Sequence, residues 1–338
     1  SDKNWKRTNK QDMSSAIGLK KRSFPESSTY FDLNLESFRQ VLLSAPKEAR
    51  SSNVIISVPN INGEMEQYKI WEYSNFAPEL QAQFPNIRAY AGVGIKDKTA
   101  SIRISLDPNG IQTMVLRADR KTEFIEPYTN DGKGYALFNS ARSTDDMPFV
   151  CGTKEEQALV DQINNRSSFS NTQSFKTLRL ALSCTGEYAA FYGGTVAGAL
   201  AGMNATMTRV NGVYEIDLAI KLELIAQQAS IIYLNAATDP YSDAGEAGSD
   251  DGLGADGAWN SELQNNLTAT IGNDAYDIGH LFGASGGGGN AGCIGCVCVN
   301  PSIAVPDGKG SGFTSPGNGA PQGDAFDIDY VAHEMGHQ

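Results

Sequence analysis

The 338-residue chain has no run of about 18 apolar residues, so nothing in it is built to span a membrane. It is short of cations, with 27 Lys and Arg against 39 Asp and Glu and a formal charge of −12. A nucleic-acid binder, which needs a basic face, is excluded as a class. The first residues, 1–6, lack the apolar stretch of a signal peptide, which leaves a cytosolic protein or one whose signal has been removed. Cysteine is sparse and odd in number: Cys151, Cys184, Cys293, Cys296 and Cys298. At least one thiol is therefore unpaired within the chain or paired outside it. One or two disulfides in an exported protein is the plain reading, because no second Cys pair or nearby His completes a structural zinc set with Cys293 and Cys296. Histidine is scarcer still, with three residues. A hydrophobic content of 40% excludes wholesale disorder.

What is present is unevenly spread. Residues 1–170 hold 22 Lys/Arg, 21 Asp/Glu and 8 Gly; residues 171–338 hold 5, 18 and 27. Such a contrast predicts two domains. After a polar lead-in over 1–30, alternating β-branched and aromatic residues predict strands at 30–35, 53–58, 64–73, 87–95, 100–106, 111–116, 121–125 and 135–139. A helix is expected over 36–45, and Asp107-Pro108-Asn109-Gly110 makes a hairpin turn. Residues 1–140 thus read as an α+β domain, mainly antiparallel β, and 141–174 as a polar connector. The remainder, 175–338, alternates as an α/β domain: strands at 175–183, 215–225, 276–282 and 293–299, helices at 195–210, 258–271 and 324–338. Asp324 or Asp327 is a candidate cap for the last helix.

Two of the three histidines lie in His333-Glu334-Met335-Gly336-His337. On a helix, positions i and i+4 share a face, so both imidazoles can reach one Zn²⁺. Glu334 then faces a water at the metal as general base, and a neutral peptide bond becomes open to attack. The third histidine, His280, sits in an apolar strand and reads as a hydrogen-bonded core residue.

With Gln338, this motif resembles the opening of the longer metzincin motif. Two further stretches, 175–182 followed by Thr185-Gly186-Glu187-Tyr188, and 276–282 followed by the glycine run and Asp327-x-x-Tyr330-Val331-Ala332-His333, resemble bacterial reprolysin-like (adamalysin-type) metallopeptidases. The resemblance spans roughly 175–338. It implies a mixed twisted sheet with an active-site helix, a secreted zinc endopeptidase acting on protein or peptide substrates, and a third zinc ligand expected beyond Gln338. It also implies a zymogen whose propeptide, residues 1–140, is an intramolecular inhibitor. In related families a propeptide cysteine in a Cys-Gly step ligates the zinc; Cys151-Gly152 is similar, which makes Cys151 the expected latency ligand. Cleavage is then expected in 164–174, with Arg166 the obvious site. Two alternatives stay open: a gluzincin-type zinc peptidase, and a catalytically inactive protease-like surface or adhesion protein.

Two further expectations concern the second region. Asp239, Asp243, Asp250 and Asp251 stand in a dense carboxylate loop and form a candidate calcium site, since Ca²⁺ takes 6–8 oxygens. The resemblance also makes Gly295, Cys296 and Val297 a substrate-binding edge strand, which would hold a peptide by β-augmentation. Cys296 or Cys298 is a candidate partner for Cys184.

Overall fold

In the computed structural model, residues 3–14, 24–140, 151, 153, 174–244, 258–286 and 288–338 are described. Asp250, Asp251 and Arg166 lie outside them. The chain divides into two compact units, one formed by 1–75 and 84–142, the other by 76–83 and 143–338.

The first unit is a nine-stranded, wholly antiparallel sheet in the order β1-β2-β9-β8-β7-β6-β5-β4-β3. Its strands are β1 (Trp5–Thr8), β2 (Thr29–Leu33), β3 (Ile55–Pro59), β4 (Met65–Glu72), β5 (Arg88–Gly94), β6 (Ser101–Asp107), β7 (Gly110–Leu116), β8 (Glu123–Pro127) and β9 (Gly134–Asn139). From β3 to β9 every strand pairs with the next in sequence. Both sheet faces are buried, and the period-2 alternation of strand side chains sorts neighbours to opposite faces. Phe31, Val115 and Leu137 join one apolar cluster; Tyr30, Met114 and Phe138 join the other. Helix α1 covers Lys10–Ser14, and α2 (Leu35–Leu43) is capped by Asn34, which accepts from the Ser37 N–H at 3.1 Å. Helix α2 buries Phe38 and Leu42 in the first cluster. The lead-in expected over 1–30 is in part a strand. Trp5 is buried and meets the rings of Phe31, Phe38 and Tyr135 edge-on, and this burial pins β1 to β2.

The second unit carries a five-stranded mixed sheet, β11-β10-β12-β14-β13. Strands β10 (Lys176–Cys184), β11 (Ile220–Leu224), β12 (Ile278–Phe282) and β14 (Gly312–Ser315) are parallel, and β13 (Gly288–Asn290) closes one edge antiparallel to β14. The chain segment 76–83, with helix α3 (Pro78–Gln83), joins this unit: Phe76 bridges Leu224, and Ala77 N–H donates to the Leu224 carbonyl. Helix α4 is Gly186–Phe191, α5 Val196–Asp217 and α6 Ala258–Thr270. Trp259, Leu263 and Leu267 of α6 pack with Leu281 and Phe313 of the sheet.

Three expectations change here. Helix α5 runs to Asp217, so the long strand expected over 215–225 shrinks to five residues. The Asn211 side chain accepts from the N–H of Leu222 and donates to its carbonyl, both at 2.8 Å, which holds the helix against β11 instead of ending it. The strand expected over 293–299 is a run of turns. Cys293 and Cys296 form a disulfide across three residues, and Gly292, Gly295 and Cys298 take left-handed φ values of 66°, 66° and 64° that no strand allows. Gly295, Cys296 and Val297 therefore form no edge strand; the edge is β13. Cys151, Cys184 and Cys298 are free thiols, so neither Cys296 nor Cys298 pairs with Cys184. Finally, the last helix begins as a π-helix, Ala325–Ala332, and tightens into α7, His333–His337. No helix among the described residues is long and apolar enough to cross a membrane.

Candidate metal centre

Helix α7 sets His333 and His337 one turn apart, with their Nε2 atoms 3.0 Å from each other. Cys151 Sγ lies 3.8 Å from His337 Nε2. The three donor atoms fall within 4.8 Å of one another, and no other group of three metal-capable donors is so placed among the described residues. A tetrahedral zinc with nitrogens at about 2.05 Å and sulfur at about 2.3 Å sets N···N edges at about 3.3 Å and N···S edges at about 3.6 Å. The observed spacings fit that donor set. Burial, followed by the neighbouring His337, pushes the His333 pKa down, which keeps its ring nitrogen available to a metal.

Glu334 is fully buried beside the two histidines. Its Oε2 accepts from Thr153 Oγ1 at 2.9 Å, and its Oε1 has no hydrogen-bond partner among the described residues. Desolvation pushes this carboxyl up to about 7, against the lowering effect of the hydrogen bonds from Thr153 and Cys151. Gly289 makes room for it, because a Cβ at that position would stand 2.4 Å from Glu334 Cγ. The same Gly289 forms a parallel bridge with Cys151, and Thr153 Oγ1 accepts from the Ala291 N–H at 2.9 Å. Residues 151 and 153 thus lie along the open side of β13 and over the histidines.

The helix is held from both ends. Upstream, Asp327 accepts from Thr206 Oγ1 at 2.7 Å and from Arg209 Nη1 at 2.9 Å, all three groups buried. It is a buried ion-pair partner to α5 rather than a cap. Tyr214 OH donates to the Ala332 carbonyl at 2.6 Å, one residue before His333. Downstream, Gly295 N–H donates to the His337 carbonyl at 2.9 Å, so the disulfide turn caps the helix end. Gln338 Nε2 donates to the Gly279 carbonyl, which turns its Oε1 toward His280 Nδ1 at 2.7 Å. His280 Nδ1 carries the proton, and Nε2 accepts from Thr314 Oγ1 at 2.8 Å. Both ring nitrogens are consumed, as expected for a core histidine, and burial lowers its pKa to about 4.

The carboxylate loop is brought together only in part. Asp239 accepts from the N–H groups of Gly186 at 2.7 Å and Tyr241 at 3.0 Å, which makes it a loop anchor. Among the described residues neither Asp239 nor Asp243 takes part in a group of three metal donors. Sequence reasoning missed Thr153 and Gln338. Gln338 follows the motif and carries no chemical signal of its own. Thr153 follows a Cys-Gly step, but nothing in one sequence shows what its hydroxyl meets.

Residues 174–338 match the family model for Metallo-peptidase family M12B, Reprolysin-like. The match supports a reprolysin-like metallopeptidase: a hydrolase of a family that uses zinc, for which protein or peptide substrates are the expected ligands. No curated protein is significantly similar to the chain.

Proposed function

We propose that this chain is the latent form of a secreted zinc endopeptidase of the metzincin type. Residues 1–140 are its β-rich propeptide, 141–174 the connector with the cysteine switch and activation site, and 175–338 catalytic-domain sequence. One observation carries the reading: a cysteine from outside the matched region meets both histidines of the H-E-x-x-H motif, with its sulfur 3.8 Å from His337 Nε2. The M12B match favours this over a gluzincin. The Cys293–Cys296 disulfide supports an oxidising compartment and hence secretion.

His333 and His337 hold the zinc, with Cys151 as the latency ligand. The ion supplies Lewis acidity, polarising the scissile carbonyl and acidifying water. Every other task falls to the chain. Glu334, raised toward neutral pH by burial, takes the proton from the attacking water and later delivers it to the leaving amine. Strand β13 receives the substrate backbone by β-augmentation once residues 151 and 153 leave it. Glycines there let a peptide approach closely. Asp239 and Asp243 remain a candidate calcium site, with Asp250 and Asp251.

The test compares the full-length protein with its Glu334→Ala variant, for zinc content as made and for cleavage of casein after the connector has been cut. Stoichiometric zinc in both and hydrolysis only in the wild type is the expected result. Equal hydrolysis would sink the role of Glu334, and no zinc in either would sink the site. Cys151→Ala should raise the activity of the uncleaved form.

A further inference from the structure

Thr153 makes two contacts that the thiol beside it does not need. A hydroxyl has one proton and two lone pairs. The Ala291 N–H can only donate, and it occupies one lone pair at 2.9 Å. The hydroxyl proton is thereby directed to Glu334 Oε2, also at 2.9 Å. Residues 151 and 153 are two apart, the spacing that puts both side chains on one face of an extended segment. Cys151 reaches the histidines, and Thr153 reaches the acid between them in sequence. The parallel bridge from Cys151 to Gly289 sets this register, and Gly289 is itself packed against Glu334.

We propose that Thr153 is a second latch of the latent state, acting on the base and on the substrate edge rather than on the metal. Its hydroxyl ties down Oε2 of Glu334, one of the two oxygens of the carboxylate that takes a proton from water. Through Ala291 it also occupies the amide that follows β13, where a peptide substrate would bond. Release of the thiol alone leaves Glu334 and Ala291 covered, so opening the site requires both side chains to leave. The inference rests on the reading of Glu334 as the general base and of β13 as the substrate edge.

Hydrogen exchange at the Ala291 amide and the alkylation rate of Cys151 by iodoacetamide, both in the full chain stripped of metal, test the latch. Neither readout needs zinc or turnover. Thr153→Val removes the hydroxyl at constant shape. It should speed exchange at Ala291 about tenfold, as expected for losing a charge-assisted hydrogen bond, and leave alkylation of Cys151 within about twofold. Thr153→Ser should restore wild-type rates, which separates the hydroxyl from a fold defect. Cys151→Ala should leave Ala291 protected within about twofold, because the latch is independent of the thiol. Wild-type exchange at Ala291 in Thr153→Val, Thr153→Ser behaving like Thr153→Val, or loss of Ala291 protection in Cys151→Ala would each overturn the proposal. Failure of the peptidase reading shows separately, as absent zinc uptake or hydrolysis indifferent to Glu334→Ala with Ala291 protection intact.

Discussion

The two sheets solve the same burial problem by different routes, and the difference explains where the chemistry lies. The first is antiparallel throughout, and seven of its eight strand pairings join sequence neighbours. Most of its neighbouring strands are joined by short connections, so most side chains that meet there are near in sequence; the β2–β9 pairing is the exception. The second has four parallel strands, which need crossovers, so each connection brings distant residues together. Thr153 and Glu334 touch across 181 positions, and Cys151 and His337 across 186. Each unit also buries an arginine side chain against carboxylates. Arg117 of the first lies among Glu66, Asp97 and Glu123, all donated by the same sheet or its turns. Arg209 of the second holds Asp327, six residues before His333. One arginine stabilises a sheet, while the other also aims the helix that carries His333 and His337.

That contrast can be broken by experiment. Asp327→Ala leaves Arg209 buried without its carboxylate and should cost about 3–5 kcal/mol. Arg117→Leu should cost about as much in the first unit, by stranding buried Glu123. Chemical denaturation reads both losses, and a zinc titration separates them: uptake should weaken only in Asp327→Ala. Equal weakening in both variants would end the distinction.

Acid provides the next test. Burial holds His280 neutral in the folded protein, pushing it down to about 4 from the ordinary imidazole value of 6.5. The unfolded chain therefore binds more protons between those values, and stability falls as pH drops through that window. The loss should approach roughly 3 kcal/mol by pH 4, at about 1.4 kcal/mol per unit. His280→Asn should flatten that slope in pH-dependent melts, and an unchanged slope would show that other groups govern it. The smallest effect is expected from Tyr214→Phe, which frees the Ala332 carbonyl. It should cost about 1 kcal/mol and weaken zinc uptake slightly. A loss matching that of Asp327→Ala would mean that the helix is aimed from α5 by the hydroxyl, not by the ion pair.

Legibility follows the same division. Period-2 alternation marked the strands of the first unit because both sheet faces are apolar and each register is set by a neighbouring turn. Only Trp5 escaped there, since a four-residue edge strand in a charged stretch has no period to display. In the second unit the local signals competed with distant partners. The helix expected over 195–210 runs on to Asp217, because Asn211 is claimed by Leu222. Apolar residues at 293–299 suggest a strand, yet a disulfide and left-handed residues fold them into turns. Strand β14 hides in a Gly/Pro-rich stretch and is a strand only because β12 and β13 flank it. The acid Asp327 has the position of a cap and the environment of a buried ion pair.

By itself the sequence determined the spacing of His333, Glu334 and His337, because one helical turn is enough to place two imidazoles on one face. It also determined most of the antiparallel sheet, from β3 to β9, whose contacts are local. Only the tertiary structure decided that Cys151 stands against His337, that Thr153 holds Glu334, and that Asp327 and Gln338 grip the helix from either side. Those contacts join residues tens to nearly two hundred positions apart. No periodicity encodes them, because they arise from the way parallel strands and their crossovers pack.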